Sequence, residues 1–178
     1  PILLIRNLEE LKKISKKDLL LSLISGIALA GHYSLWFQSL KYTSVASSTV
    51  IVTLQPLFSI VAGYFIFKER YTKLAILGFI IAIIGSIIIG WGDFQVSTIA
   101  LIGDVLAFIS AGLISANFLL GQYIRKRLSA LTYTGLTYLA SSVFLFFVVI
   151  FTNTPLTGYP LYTWLNILGL TLVSTMLG

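Results

Sequence analysis

Histidine occurs once, at position 32, with Tyr33 beside it and Trp36 one helical turn further on. A neutral imidazole beside an indole can contact a solute or carry a proton, but it can equally hydrogen-bond a carbonyl of a neighbouring helix. Trp36 also suits an interfacial aromatic belt. Gln55 and Pro56 interrupt the apolar run TLQPLFSIVAGYFIFKER, and Ser48, Val52, Gln55 and Ser59 recur at helical spacing, giving a partly polar stripe along which a water-filled path could run. Proline has no N–H, and its ring clashes with the carbonyl four residues back, at Val52, so the helix should bend and free polar backbone near Val52 and Thr53. Asp104 is either a helix-start carboxylate favoured by the dipole or a proton-binding group, and Asn117 is suited to interhelical hydrogen bonding or to a cavity wall. Lys68, Glu69 and Arg70 end the apolar run. No phosphate loop, paired-carboxylate site or nucleophile triad is present, so no enzyme is read here and no catalytic residue or cofactor is assigned.

These residues sit in a chain that is 57% hydrophobic and 10% charged, with a mean hydropathy of +0.97. A soluble domain carries about 25% charged residues, so the composition is that of a bilayer protein. With no cysteine and one histidine, neither a disulfide framework nor a metal site is expected. The formal charge of +6 is scattered over short loops, which argues against nucleic acid as a partner and for membrane topology.

Apolar runs long enough to span a bilayer occupy residues 19–40, 46–67, 74–91, 99–121, 129–151 and 161–178. Each should be helical, because a spanning segment must satisfy its own backbone hydrogen bonds and no barrel-like alternation is seen. The fold class is therefore all-α, a polytopic transmembrane helix bundle. Lys and Arg concentrate before the first span, in the second loop (Lys68, Arg70, Lys73) and in the fourth (Arg125, Lys126, Arg127). The intervening loops hold Lys41, then Asp93, then no charge between residues 152 and 160. Residues 1–18, 68–73 and 122–128 should accordingly be cytoplasmic.

Small residues recur every four positions: Ser22, Gly26, Ala30 and Ser34; Gly78, Ala82, Ser86 and Gly90; Gly103, Ala107, Ala111 and Ser115. Such stripes let helices approach closely within one chain, and a homodimer seam is the alternative. Residues 2–17 suit either a short interfacial helix or a solvated loop. Pro1 in place of an initiator methionine and Gly178 ending an apolar run are expected of an internal fragment.

The stretch SLKYTSVASSTVIVTLQPLFSIVAGYFIFKERYTKLAILGFIIAIIGSIIIG resembles the second half of an EamA-type repeat of the drug/metabolite transporter superfamily. The resemblance lies in the SLKYTSVA turn, the mid-helix Pro56, Glu69 at the helix end, and Gly78 and Gly85 in the next helix. GDVLAFISAGLISANFLLGQYIRK resembles the opening helix of a second repeat. The likeness implies two inverted five-helix repeats, with residues 19–91 the end of the first, 99–178 the start of the second, and the six spans helices three to eight of ten. It also implies a prokaryotic cytoplasmic membrane. Its third, fourth, sixth and eighth helices would line a central cavity, with His32, Trp36, Ser48, Gln55, Pro56 and Asn117 as candidate lining residues.

The expected function is secondary-active transport of small organic solutes (metabolites, amino acids or drugs) by alternating access about a site near Gln55 and His32. His32 and Asp104 are the membrane groups suited to report a proton. The expected partners are a small-molecule substrate and membrane lipid. A non-transporting membrane scaffold is the rival reading.

Overall fold

A computed structural model of the chain describes residues 8–96 and 98–172. Helix follows helix: α1 (Leu8–Lys13), α2 (Lys16–Ser39), α3 (Val45–Val52), α4 (Gln55–Ala62), a π-helical turn (Gly63–Phe67), α5 (Lys73–Val96), α6 (Thr98–Ile124), α7 (Ala130–Phe151) and α8 (Leu161–Gly169). Among the described residues, Lys16–Ser39, Val45–Ile66, Thr98–Ile124 and Ala130–Phe151 are long and apolar enough to cross a membrane. The protein is thus an all-α membrane helix bundle. The remaining expected spans correspond to α5 and α8, and residues 173–178 of the last one lie outside the described residues.

Local chemistry sets the boundaries. Ser15 caps α2 by accepting from the Asp18 amide at 3.0 Å, and Ser44 caps α3 by accepting from the Ser47 amide at 3.0 Å. The second span is broken rather than merely bent, for α3 ends at Val52 and α4 begins at Gln55 with Pro56 in its first turn. A proline costs least there, since the N–H it lacks would have no intrahelical acceptor. The π-helical turn ends on Lys68, whose φ of 57° reverses the chain, and the Glu69 amide closes it onto the Gly63 carbonyl at 3.2 Å.

The chain divides into two units, residues 1–145 and 146–178. In the first, α2 and α6 pack along their length, α3 and α4 lie against α6, and α5 lies against α3 and α6. Polarity is inverted relative to a soluble domain. Ser22, Ser25, Ser47 and Ser110 are 0% exposed, whereas Leu74 is 78% and Phe65 73% exposed. Lipid tails solvate leucine as well as a core would, so the interior is selected for closeness and hydrogen bonding instead. The stripes on α2 and α6 serve that end: a Cβ on Gly26 would stand 2.6 Å from both the Thr137 carbonyl and the Ala140 Cβ of α7. On α5, by contrast, a Cβ on Gly78 would meet nothing within 4 Å. The second unit holds the end of α7, a connection in which Asn153 (φ 50°) and Gly158 (φ 91°) turn the chain, and α8 entered through Pro160.

Candidate functional site

One end of the first unit is tied shut. The Thr43 and Ser47 hydroxyls donate to Asp104 Oδ1 at 2.7 and 2.9 Å, joining the α2–α3 turn and the start of α3 to α6. Gly103 lets the backbones touch, since a Cβ there would lie 2.8 Å from the Thr43 amide nitrogen. One layer inward, the Ser48 hydroxyl shares a 2.6 Å hydrogen bond with that of Ser39, which also lies 2.6 Å from the Trp36 carbonyl.

Mid-bundle, His32 Nδ1 stands 3.1 Å from the Ser110 carbonyl and 2.8 Å from its hydroxyl, while that hydroxyl donates to the His32 carbonyl at 3.1 Å. The imidazole stacks on Trp36, with ring centroids 5.9 Å apart. Asn117 Nδ2 donates to the Ser25 carbonyl at 3.1 Å and to its hydroxyl at 2.9 Å. Tyr133 of α7 closes the triangle by donating to the Asn117 carbonyl at 3.0 Å and lying 2.6 Å from the Ser25 hydroxyl. At the helix break, Gln55 engages α6 through its backbone. The Ser115 hydroxyl donates to the Gln55 carbonyl and lies 2.7 Å from the Ser59 hydroxyl.

Toward the basic end the helices separate. An apolar chamber of about 1070 Å³ opens between α2, α4 and α6, walled by residues such as Leu57, Phe58 and Leu120, with Ser115 in its lining and Lys17 and Lys126 at its rim. On the far side of α6 a more polar chamber of about 640 Å³ lies between α2, α6 and α7. Asn117 lines the polar chamber, Pro56 a cleft of about 330 Å³ between α4 and α5, and Asp104 an apolar cavity of about 580 Å³ beside α3, α4 and α5. His32, Trp36, Ser48 and Gln55 are not among the residues lining these spaces. Asn117, Pro56 and Asp104 therefore line three different spaces. His32, Ser48, Gln55, Asp104 and Asn117 make helix–helix ties, as a buried polar group in a low-dielectric interior takes the nearest partner, whereas the buried Trp36 Nε1 has no hydrogen-bond partner among the described residues.

Glu69 ties this end. Its carboxylate accepts from Tyr71 at 2.8 Å and from Gln122 of α6 at 3.1 Å, beneath Gly63, whose missing side chain leaves room for the Tyr71 hydroxyl and the Glu69 carboxylate. Partial burial and the Glu69 carboxylate hold the Tyr71 hydroxyl above the usual phenol range. Lys68 and Arg70 edge a shallow depression with Tyr64 and Phe65. Nearby, Arg127 lies 3.4 Å from Asp18 and over the Tyr123 ring, and Glu10 of α1 accepts from the Ser129 amide at 2.7 Å at the start of α7. Sequence reasoning missed Thr43, Ser47 and Ser110 as partners. Ser and Thr are frequent in this chain, and nothing in their spacing distinguishes a tie between helices from a hydroxyl folded onto its own backbone.

Buried serines, exposed leucines, a broken spanning helix and chambers between helices define a polytopic helical membrane protein with internal cavities. The chain belongs to the EamA-like transporter family, whose sequence model matches residues 1–91. Among curated proteins it is similar to an uncharacterized transporter, YyaM, of Bacillus subtilis (strain 168), being 29% identical over 157 residues. That alignment covers 85% of this chain and 52% of the relative, so the chain spans about half the length of the curated protein it matches. No solved structure matches it.

Proposed function

We propose that the chain is part of a secondary-active carrier that moves a small organic solute, such as a metabolite, amino acid or drug, by alternating access across a prokaryotic cytoplasmic membrane. The observation that carries this reading is the broken second span beside the apolar chamber. The break between α3 and α4 leaves α4 as a separate short rod, and Leu57 and Phe58 of that rod form one chamber wall. A rod hinged at residues 53–54 can swing that wall while Ser115 keeps the Gln55 carbonyl satisfied, which is how discontinuous helices serve transport. With the basic loops cytoplasmic, the chamber faces the cell interior and the Asp104 tie closes the outer side. The family match over residues 1–91 supports a first repeat ending near residue 91.

Asp104 offers a coupling device. Its cavity neighbours are apolar apart from Ser86, and its Oδ1 is held by two hydroxyl donors from the α2–α3 turn and α3. A proton on the carboxylate weakens its acceptance of those donors and loosens the outer closure. The test is uptake and efflux by the full-length protein in proteoliposomes, across a panel of labelled amino acids, metabolites and drugs with and without a pH gradient. Saturable flux of at least one solute is expected, with its pH dependence flattened in Asp104→Asn. Absence of saturable flux of any of them, with the protein folded, would overturn the carrier reading in favour of a scaffold.

A further inference from the structure

The polar chamber between α2, α6 and α7 shares only Lys126 with the lining of the apolar chamber on the proposed solute path, and its polar residues have a consistent chemistry. Tyr33 comes from α2, Gln122 from α6, and Thr134, Thr137 and Tyr138 from α7, with Arg125 and Lys126 at the basic end. None of its lining residues is acidic. The basic turn that closes α6 divides its charges: Arg127 pairs with Asp18 and covers Tyr123, whereas the Arg125 side chain makes no ion pair among the described residues and lines the chamber. Thr137 supplies the second observation. It is 3% exposed, and its Oγ1 is buried with no hydrogen-bond partner, although a helical threonine in lipid can bond the carbonyl a turn behind it. A buried hydroxyl without a partner in a chamber wall is a group awaiting one.

We propose that this chamber binds a small anion, a phosphate or carboxylate group held by the Arg125 guanidinium, with a hydroxyl-bearing body donating to and accepting from Thr137 and its neighbours. Arginine fits the role because its planar fork pairs two oxygens of an oxyanion at once. The same chemistry is presented by a free organic anion and by the headgroup of an anionic lipid entering from the leaflet.

The experiment measures thermal unfolding of the full-length protein in nanodiscs of phosphatidylcholine, titrated with glycerol 3-phosphate and, as the uncharged control, glycerol. A saturable rise in unfolding temperature with the phosphate and none with glycerol is expected. Arg125→Gln should weaken the response about tenfold, and Thr137→Val should cause a smaller loss while leaving the unliganded unfolding temperature near that of wild type. A second arm uses nanodiscs containing phosphatidylglycerol. Stabilisation there that Arg125→Gln abolishes, without a response to the soluble phosphate, assigns the site to a lipid headgroup. Equal responses from wild type and Arg125→Gln, or none in either arm, overturn the proposal and leave Arg125 a topological anchor. Because the readout is binding, failure here is distinguishable from failure of the carrier reading.

Discussion

The two ends of α6 follow opposite rules. At Gly103 and Asp104 the neighbouring turn lies so close that a Cβ would collide with backbone, and a carboxylate holds two hydroxyls. At the Arg125 end α6 stands between two chambers, bridged to its neighbours by long side chains, Glu69 to Gln122 and Arg127 to Asp18. The first end is apolar around a single carboxylate, whereas the second carries Arg125, Lys126 and Arg127. They differ as well in the size of the side chain at the crossing and the length of the group that makes the tie. Short ties with glycine seal a helix pair, whereas long ties hold it across a gap, and the second arrangement can come apart with little repacking.

The comparison is broken most directly at Gly103. Gly103→Val places its side chain against the Thr43 amide, and overpacking against backbone should cost about 3 kcal/mol. Gly78→Ala on α5 meets nothing, and should be neutral or stabilising by about 0.5–1 kcal/mol. Thermal unfolding followed by size-exclusion chromatography measures both; equal effects would mean that the tight crossing is not the source of closure. Next in size is Asp104→Ala, which leaves the Thr43 and Ser47 hydroxyls without their acceptor and should cost about 2 kcal/mol. Asp104→Asn retains an acceptor oxygen and should cost less, so a double-mutant cycle with Ser47→Ala isolates the tie.

Pro56→Ala restores an N–H in the first turn of α4, where no intrahelical acceptor is required, so stability should change by less than about 1 kcal/mol. Flux should fall nonetheless if the break is the hinge, and unchanged flux would count against a moving α4. The smallest effect concerns the basic end. The Tyr71 hydroxyl titrates above its ordinary range, so its bond to Glu69 is intact at neutral pH and is lost only as pH rises through that elevated value. Tyr71→Phe should therefore lower the unfolding temperature slightly at pH 7, and its difference from wild type should vanish at strongly alkaline pH. A difference that persists there would assign the effect to packing.

Much of the frame was legible in the residues. Apolar run length located the spanning helices to within a few residues, because a bilayer imposes both length and helicity on a hydrophobic segment. Pro56 announced a bend with backbone freed near Val52 and Thr53, and the structure makes it a break at residues 53–54 because proline is cheapest in the first turn of a new helix. The small-residue stripes on α2 and α6 were readable as packing surfaces, while that on α5 reads the same and leaves Gly78 open. The site was far less legible. His32 and Asn117 stood out by type and depth, yet which partner each takes depends on Ser110, 78 residues away, and Ser25, 92 residues away. No spacing rule connects them.

The sequence alone determined that this protein lives in a membrane, how many apolar runs it has, that the second one is interrupted near Pro56 and which loops carry its positive charge. Those properties follow from local composition and from the cost of an unpaired backbone in lipid. Only the tertiary structure decided that Gln55 serves through its carbonyl, that Asp104 fastens a turn, and that α6 divides an apolar chamber from a polar one. Pairing between polar groups inside a bundle is settled by which helices meet and at what distance, and that is a property of the packed chain.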